Sequence, residues 1–139
     1  MYTFCNMRDA RIIVTGDSLR FPHDGPGGAP CDAVELVASS IGMPWDDVTH
    51  LRRASQEDVQ RLQNMPRYVA GIGLEHAADL LPSATELIVF DIPRLRLKRQ
   101  RYGEQIAAVL SEARSRGIAH HYFSDASEFR SKYLGSLQT

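Results

Sequence analysis

The chain has 139 residues, of which 43% are hydrophobic, and a formal net charge of -1 at pH 7. This length suits one domain, so we expect a single unit over residues 1–139. The near-neutral charge gives no electrostatic reason to expect a nucleic acid or a membrane surface as a partner. Two cysteines, Cys5 and Cys31, are too few for a disulfide framework or a typical zinc site.

The chain carries no sign of a membrane-spanning or secreted segment. No apolar run approaches the ~20 residues that cross a bilayer, and residues 1–10 lack the apolar core of a signal peptide. We therefore expect a cytoplasmic protein. The sequence predicts neither a bound metal nor a cofactor, and it leaves the oligomeric state open.

Strand-like and helix-like patterns alternate along the chain. Short apolar runs rich in β-branched residues predict strands, and apolar residues at a three- to four-residue spacing predict amphipathic helices. The predicted strands cover residues 11–16, 46–52, 67–73, 86–92 and 118–123. The predicted helices cover residues 30–41, 55–65, 74–81 and 96–116, with a last helix beyond residue 124. Pro30 suits the first turn of the first of these helices, and Ser55 with Asp58 three residues later forms a variant of a capping box at the start of the second. The proline- and glycine-rich segment 21–30 is a predicted loop.

This alternation predicts an α/β fold, because parallel strands need crossover connections and helices supply them. We predict a three-layer α/β/α sandwich with a five-stranded parallel sheet in the flavodoxin-like order 2-1-3-4-5 and the first strand near the centre. Ligands bind such sheets at the carboxyl ends of the strands, at the topological switch point. The residues that directly follow the first strand are therefore candidates for a functional site.

A short motif, Gly16-Asp17-Ser18-Leu19, stands directly after the first predicted strand. It resembles the first sequence block of the SGNH (GDSL) hydrolases, whose fold is a five-stranded flavodoxin-like sandwich. The resemblance implies an ester or acyl hydrolase with Ser18 as nucleophile. A serine hydroxyl attacks a carbonyl only when a base takes its proton, and hydrogen-bond donors must then stabilise the oxyanion. Asp17 is a second catalytic candidate, although aspartate also suits a turn at this position.

A second segment, residues 67–76, resembles the third block of the same family, in which a buried strand ends in Gly-x-Asn-Asp. Gly73 matches the glycine of that block, and Glu75 stands where the family has its asparagine. An ionised carboxylate cannot donate a hydrogen bond to an oxyanion. The match therefore places Glu75 among the catalytic candidates but predicts a changed or lost chemistry. The second block's glycine is also missing, at residues 53–55.

The catalytic base is not of the family's usual kind. The family carries Asp-x-x-His beyond its fifth strand, and no such motif precedes Thr139; the spacing occurs only mid-chain, from Asp47 to His50. We expect His76, just after the third predicted strand, to act as the base, with His50 and His23 as rivals. The resemblance thus predicts a degenerate SGNH-like hydrolase with a non-standard base.

A basic cluster follows the fourth predicted strand and so belongs to the same edge of the sheet. Such a cluster is commonly no more than the solvated start of a helix, but positive charge there opposes the helix dipole, which adds weight to a ligand-binding role. We expect these side chains, together with Gly16 and Gly73, to contact an anionic small molecule. The cluster consists of Arg94, Arg96, Lys98, Arg99 and Arg101.

Two alternatives to an enzyme follow from the same residues. The first strand and its glycine also resemble those of SLOG proteins, a Rossmann-like family of nucleotide sensors, which implies nucleotide or phosphate binding without catalysis. A degenerate hydrolase fold used as an interaction module is the third reading. The adjacent His120 and His121 point to opposite faces of a strand and are predicted to be structural.

Overall fold

The computed structural model describes residues 10–16, 20–21, 23–91 and 100–135. These residues form five longer strands, two short ones and five α-helices. The strands are β1 (Arg11–Thr15), β2 (Arg20–Phe21), β3 (Cys31–Asp32), β4 (Val48–Leu51), β5 (Tyr68–Ile72), β6 (Glu86–Phe90) and β7 (Ala119–Phe123). The helices are α1 (Ala33–Ile41), α2 (Gln56–Gln63), α3 (Ala77–Leu80), α4 (Gln100–Ser115) and α5 (Ala126–Glu128), which continues into π-helical turns over Phe129–Leu134. Single 3-10 turns lie at Pro26–Gly28, Trp45–Asp47, Leu74–His76 and Leu81–Ser83.

The five longer strands form one sheet in the order β4-β5-β1-β6-β7, and every neighbouring pair is parallel. The two-residue strands β2 and β3 pair antiparallel in a separate ribbon. The predicted α/β class, the five-stranded parallel sheet and the central position of the first strand are confirmed. The predicted strand order is wrong, because the five strands run 2-3-1-4-5 rather than 2-1-3-4-5.

Burial explains why β6, and not β4, is the second neighbour of β1 beside β5. Four of the five residues of β6, ELIVF, are buried. The sequence of β5, YVAGI, is almost wholly apolar and four of its five residues are buried, as suits a strand with neighbours on both sides. Strand β4, VTHL, has no fully buried residue. Such a short, half-polar strand suits the edge of a sheet, where one side meets water.

Helices cover both faces of the sheet, which confirms the three-layer arrangement. Successive side chains of a strand point to opposite faces, so Ile12 and Val14 pack with α1 and the C-terminal helical turns, whereas Ile13 packs with α4 and the segment Leu74–Leu81. Each face of the sheet thus has its own apolar cluster, and β1 contributes to both. None of the helices in the described part is long and apolar enough to cross a bilayer.

Two helices begin with capping boxes that fix where the chain turns. Asp32 and Glu35 cap α1 reciprocally, so this helix begins at Ala33 and not at Pro30 as the proline suggested. Ser55 and Asp58 cap α2 in the same way, as the sequence predicted. Each box satisfies two backbone N–H groups that have no partner within the helix.

Helix α1 crosses the sheet so closely that one strand position has no room for a side chain. A Cβ atom built on Gly71 of β5 would lie 3.0 Å from the Cβ of Val34 and 3.3 Å from its Cγ1. Val34 is β-branched and sits in the middle of a packed face, so it cannot simply turn away. The absence of a side chain at Gly71 therefore sets the distance between α1 and the sheet.

We expect Gly71→Ala to lower the free energy of unfolding by about 1–3 kcal/mol, because overpacking forces the helix or the strand to move. Replacing Val34 with alanine in the same chain should recover part of that loss, giving a favourable coupling energy in a double-mutant cycle measured by urea unfolding. Gly73→Ala is the matched control, since the nearest atom to its Cβ would be the Arg52 carbonyl oxygen at an ordinary 3.7 Å. Equal losses at both glycines would contradict this account.

Candidate functional site

The candidate site lies where the carboxyl ends of three neighbouring strands meet. Gly16 follows β1, Gly73 follows β5, and Asp91 follows β6. Val14 pairs with Gly71, so continuing the register by two residues places Gly16 level with Gly73. The two glycines predicted to contact a ligand thus end adjacent strands, and the predicted strand order makes these two strands neighbours as well.

This edge is a topological switch point. From β1 the chain passes to α1 on one face of the sheet, whereas from β5 and β6 it passes to helices on the other face. Connections that diverge in this way leave a crevice outside the strand ends, and open parallel sheets bind their ligands there. The site predicted after the first strand therefore lies in the part of the fold best suited to a ligand.

Several predicted site residues lie outside the described part of the chain. They are Asp17, Ser18, Arg94, Arg96, Lys98 and Arg99. By position in the chain, the first two directly follow Gly16 and the other four come shortly after Asp91.

His76 stands on a well-anchored turn at this edge. Its backbone N–H donates to the carbonyl of Gly73 at 3.0 Å and closes the 3-10 turn that follows β5. The flanking Leu74 and Ala77 are buried and fix the turn against the sheet. The imidazole is 27% exposed, with Nε2 at 3.4 Å from a carboxylate oxygen of Glu75 and Nδ1 at 3.9 Å from one of Asp79.

Both carboxylates beside His76 are more than half exposed. Glu75 is 68% and Asp79 56% exposed, and such pairs are weak because water screens them. Asp79 lies one helical turn further on, in α3, and faces the other ring nitrogen. His76 thus has a carboxylate beside each ring nitrogen, and a general base uses such a neighbour to orient its ring.

The two rival bases are less well placed. His50 lies on the edge strand β4, which β5 separates from β1, and its Nε2 is 3.1 Å from Oδ2 of Asp32, the N-cap of α1. This contact therefore stabilises the start of α1. His23 is exposed in a turn before the ribbon strand β3. Of the three candidates, only His76 follows a strand that neighbours β1.

Three polar residues at this edge were not among the predicted site residues. Asp91 is fully buried, and the hydroxyl of Tyr122 donates a hydrogen bond to its Oδ2. Thr15, the last residue of β1, is 1% exposed, and its hydroxyl has no hydrogen-bond partner within the described ranges. For Thr15 and Asp91 the sequence signal is their position, because the first ends and the second directly follows an apolar strand at the carboxyl edge of the sheet.

A second cluster of titratable groups lies away from this edge. Glu86, at the start of β6, accepts hydrogen bonds from the Tyr133 hydroxyl at 3.0 Å and pairs with Nε2 of His121 at 2.6 Å. The His121 ring also packs edge-on against Tyr133, with ring centroids 5.1 Å apart. These contacts fasten the C-terminal helical turns to the sheet. His120 interacts instead with the carbonyl oxygen of Ile118.

The residues that the structure describes hold no group of three or more His, Cys, Asp or Glu side chains arranged to bind a metal ion. Comparisons with protein-family models, with curated proteins and with solved structures found no match for this chain.

Stability should fall in alkali because several buried groups hold their protons more tightly when the chain is folded. Burial and the neighbouring Glu86 carboxylate raise the pKa of Tyr133, and burial raises the pKa of Tyr68 and of Cys31. Their contribution to stability is complete below the pKa values of the unfolded chain, about 8.5 for the thiol and 10 for the phenols. It is lost as pH rises from there towards the folded-state values, by up to about 1.4 kcal/mol per pH unit for each group.

We expect Tyr133→Phe to flatten this alkaline decline, since it removes one of these groups. Urea unfolding followed at several pH values from about 8 to 11, the range in which the unfolded groups titrate, measures the slope. The variant also loses the hydrogen bond to Glu86, which lowers stability at neutral pH by about 1 kcal/mol, so the slope and not the level is the readout. Parallel pH profiles for the two proteins would contradict the prediction.

Proposed function

We propose that this protein is a serine-dependent ester or acyl hydrolase, with Ser18 as nucleophile and His76 as general base. One observation carries the proposal: a histidine flanked by two carboxylates stands directly after β5, the neighbour of the strand that leads into Gly16-Asp17-Ser18. A nucleophile, a base and a group that orients the base are the three parts that this chemistry requires.

The first half of the reaction would form an acyl-enzyme. The Ser18 hydroxyl attacks the substrate carbonyl as Nε2 of His76 takes the hydroxyl proton, with the exposed Glu75 side chain giving way to the substrate. Asp79, facing Nδ1, stabilises the imidazolium that results. The tetrahedral intermediate collapses when His76 returns the proton to the departing alcohol. Backbone N–H groups after β1 are the candidates for stabilising the oxyanion.

The second half would release the acid. Water replaces the alcohol, His76 takes a proton from it, and the resulting hydroxide attacks the acyl-serine carbonyl. Collapse of this second intermediate returns the proton to Ser18 and frees the carboxylic acid. Glu75 contributes no hydrogen bond to the oxyanion while it is ionised. In this proposal, backbone N–H groups alone stabilise the oxyanion, a task that in the SGNH hydrolases they share with an asparagine side chain.

We expect Ser18→Ala to reduce hydrolysis of p-nitrophenyl esters to the uncatalysed rate and to abolish labelling by a fluorophosphonate probe. His76→Gln should lower kcat/KM by about 10²–10⁴, the usual contribution of a general base. His50→Gln is the matched control, because that histidine also pairs with an aspartate but lies on the edge strand; it should keep the parent rate. A wild-type protein without esterase activity or probe labelling would refute the proposal.

Binding of an anionic ligand without catalysis is the second candidate function. It is favoured by Thr15, whose buried hydroxyl has no partner in the described part of the chain although it ends the central strand. A phosphate oxygen is a suitable acceptor for such a donor. The basic residues Arg94, Arg96 and Lys98, which follow β6 in the sequence, would supply the positive charge.

For this second function we expect nucleotides to raise the thermal unfolding temperature, because a ligand at 100 times its dissociation constant adds about 2.7 kcal/mol of stability. Thr15→Val keeps the shape of the side chain but removes the hydroxyl, so it should weaken the shift. Scanning fluorimetry with a nucleoside triphosphate, a diphosphate and inorganic phosphate makes the measurement. The absence of a shift with all three ligands would eliminate this candidate.

A further inference from the structure

Strand β4 ends the sheet with one side open. It pairs with β5 through residues 48–51, and no strand in the described part of the chain pairs with its other side. Strand edges carry unsatisfied N–H and C=O groups that can pair with another chain, and proteins limit such pairing with short edge strands or block it with lysine, proline or a bulge. The four residues of β4, Val48 to Leu51, include neither lysine nor proline.

The residues around β4 carry charge in an ordered way. Asp46 and Asp47 precede the strand, and Arg52 and Arg53 follow it directly. Asp46, Arg52 and Arg53 are exposed, and the ion pairs within the described ranges involve none of these three; Asp47 pairs with Arg67 at 2.7 Å. The open edge is therefore acidic at its amino end and basic at its carboxyl end.

An exposed aromatic ring extends the same surface. Trp45 is 62% exposed and belongs to the 3-10 turn that leads into β4. Its ring lies 6.1 Å from that of His50, which is on the strand itself. A large apolar side chain beside an unpaired strand edge is typical of surfaces that bind another protein.

We propose that a second copy of this chain pairs with β4 in an antiparallel arrangement, so that the two sheets join about a two-fold axis. An axis through the facing Thr49 residues would bring the acidic end of each β4, with Asp46 and the exposed Trp45 in its 3-10 turn, beside the basic end of the other, with Arg52 and Arg53. These neighbours attract, as ion pairs and through cation–π contact. A two-fold axis forms each contact twice, as in other self-complementary interfaces.

The charge order selects this occupant and this orientation. A second copy added in parallel would set Asp46 beside Asp46 and Arg52 beside Arg52, which is repulsive. The opposite edge strand, β7, lacks the pattern, because the two residues before it are Gly117 and Ile118 and the two after it are Ser124 and Asp125. Only β4 is complementary to itself when reversed. The proposal does not depend on the hydrolase assignment.

The test measures the dimer dissociation constant of the whole chain by sedimentation velocity over a concentration series. Asp46→Arg and Arg52→Asp each place like charges opposite one another at both symmetric positions, so each should raise the dissociation constant by at least about tenfold. An equal mixture of the two variants should recover the dimer, because opposite charges then meet at both positions. Added salt should weaken the wild-type dimer.

Matched controls are Glu104→Arg and Arg114→Asp, exposed charge reversals on α4, which should leave the dissociation constant unchanged. Circular dichroism and thermal unfolding establish that each variant is folded. A wild-type chain that stays monomeric up to the highest soluble concentration would overturn the proposal. A dimer that tolerates both charge reversals at β4 would do so as well, since another surface would then hold it together.

Discussion

The pairing of β1 with a parallel strand on each side is the constraint from which the rest of this structure follows. Its residues Ile12, Ile13 and Val14 are at most 2% exposed, so the strand can exist only when β5, β6 and both helical layers surround it. Since its side chains alternate between the two apolar clusters, β1 couples the clusters. Because β1 is the middle strand, its carboxyl end lies at the middle of the carboxyl edge of the sheet.

The proposed chemistry depends on which strands neighbour β1. In the predicted order 2-1-3-4-5, the first strand lies between the second and third; here it lies between the third and fourth. The contact between the first and third strands is common to both orders, so His76 after β5 stays at the edge where Gly16 ends β1. The other neighbour of β1 differs, because β6 takes the place of β4. Asp91, which follows β6, therefore lies beside the end of β1 where the predicted order puts the residues after β4.

Strand β4 is an edge strand in both orders, although it no longer neighbours β1. An interior strand with a tryptophan before it and charged residues on both flanks would bury polar groups at high cost. At the edge, these groups meet water in the monomer and suit a second copy of the chain in the proposed dimer. The polarity that keeps β4 out of the centre of the sheet thus also suits it to pairing with a second copy. The proposed active site and the proposed interface lie on different strands.

The sequence alone determined the elements and the fold class, because periodicity, turn residues and caps act over a few neighbouring residues. It predicted the five strands of the sheet, the capping box at Ser55 and Asp58, and the alternation that requires a parallel sheet. It also identified Gly16, Gly73 and His76 as residues that follow strands. Only the tertiary structure decided the strand order, the pairing of His76 with Glu75 and Asp79, and the burial of Asp91. These features depend on which distant segments occupy the centre of the sheet. The burial of whole apolar surfaces decides this, and a local sequence pattern does not contain that information.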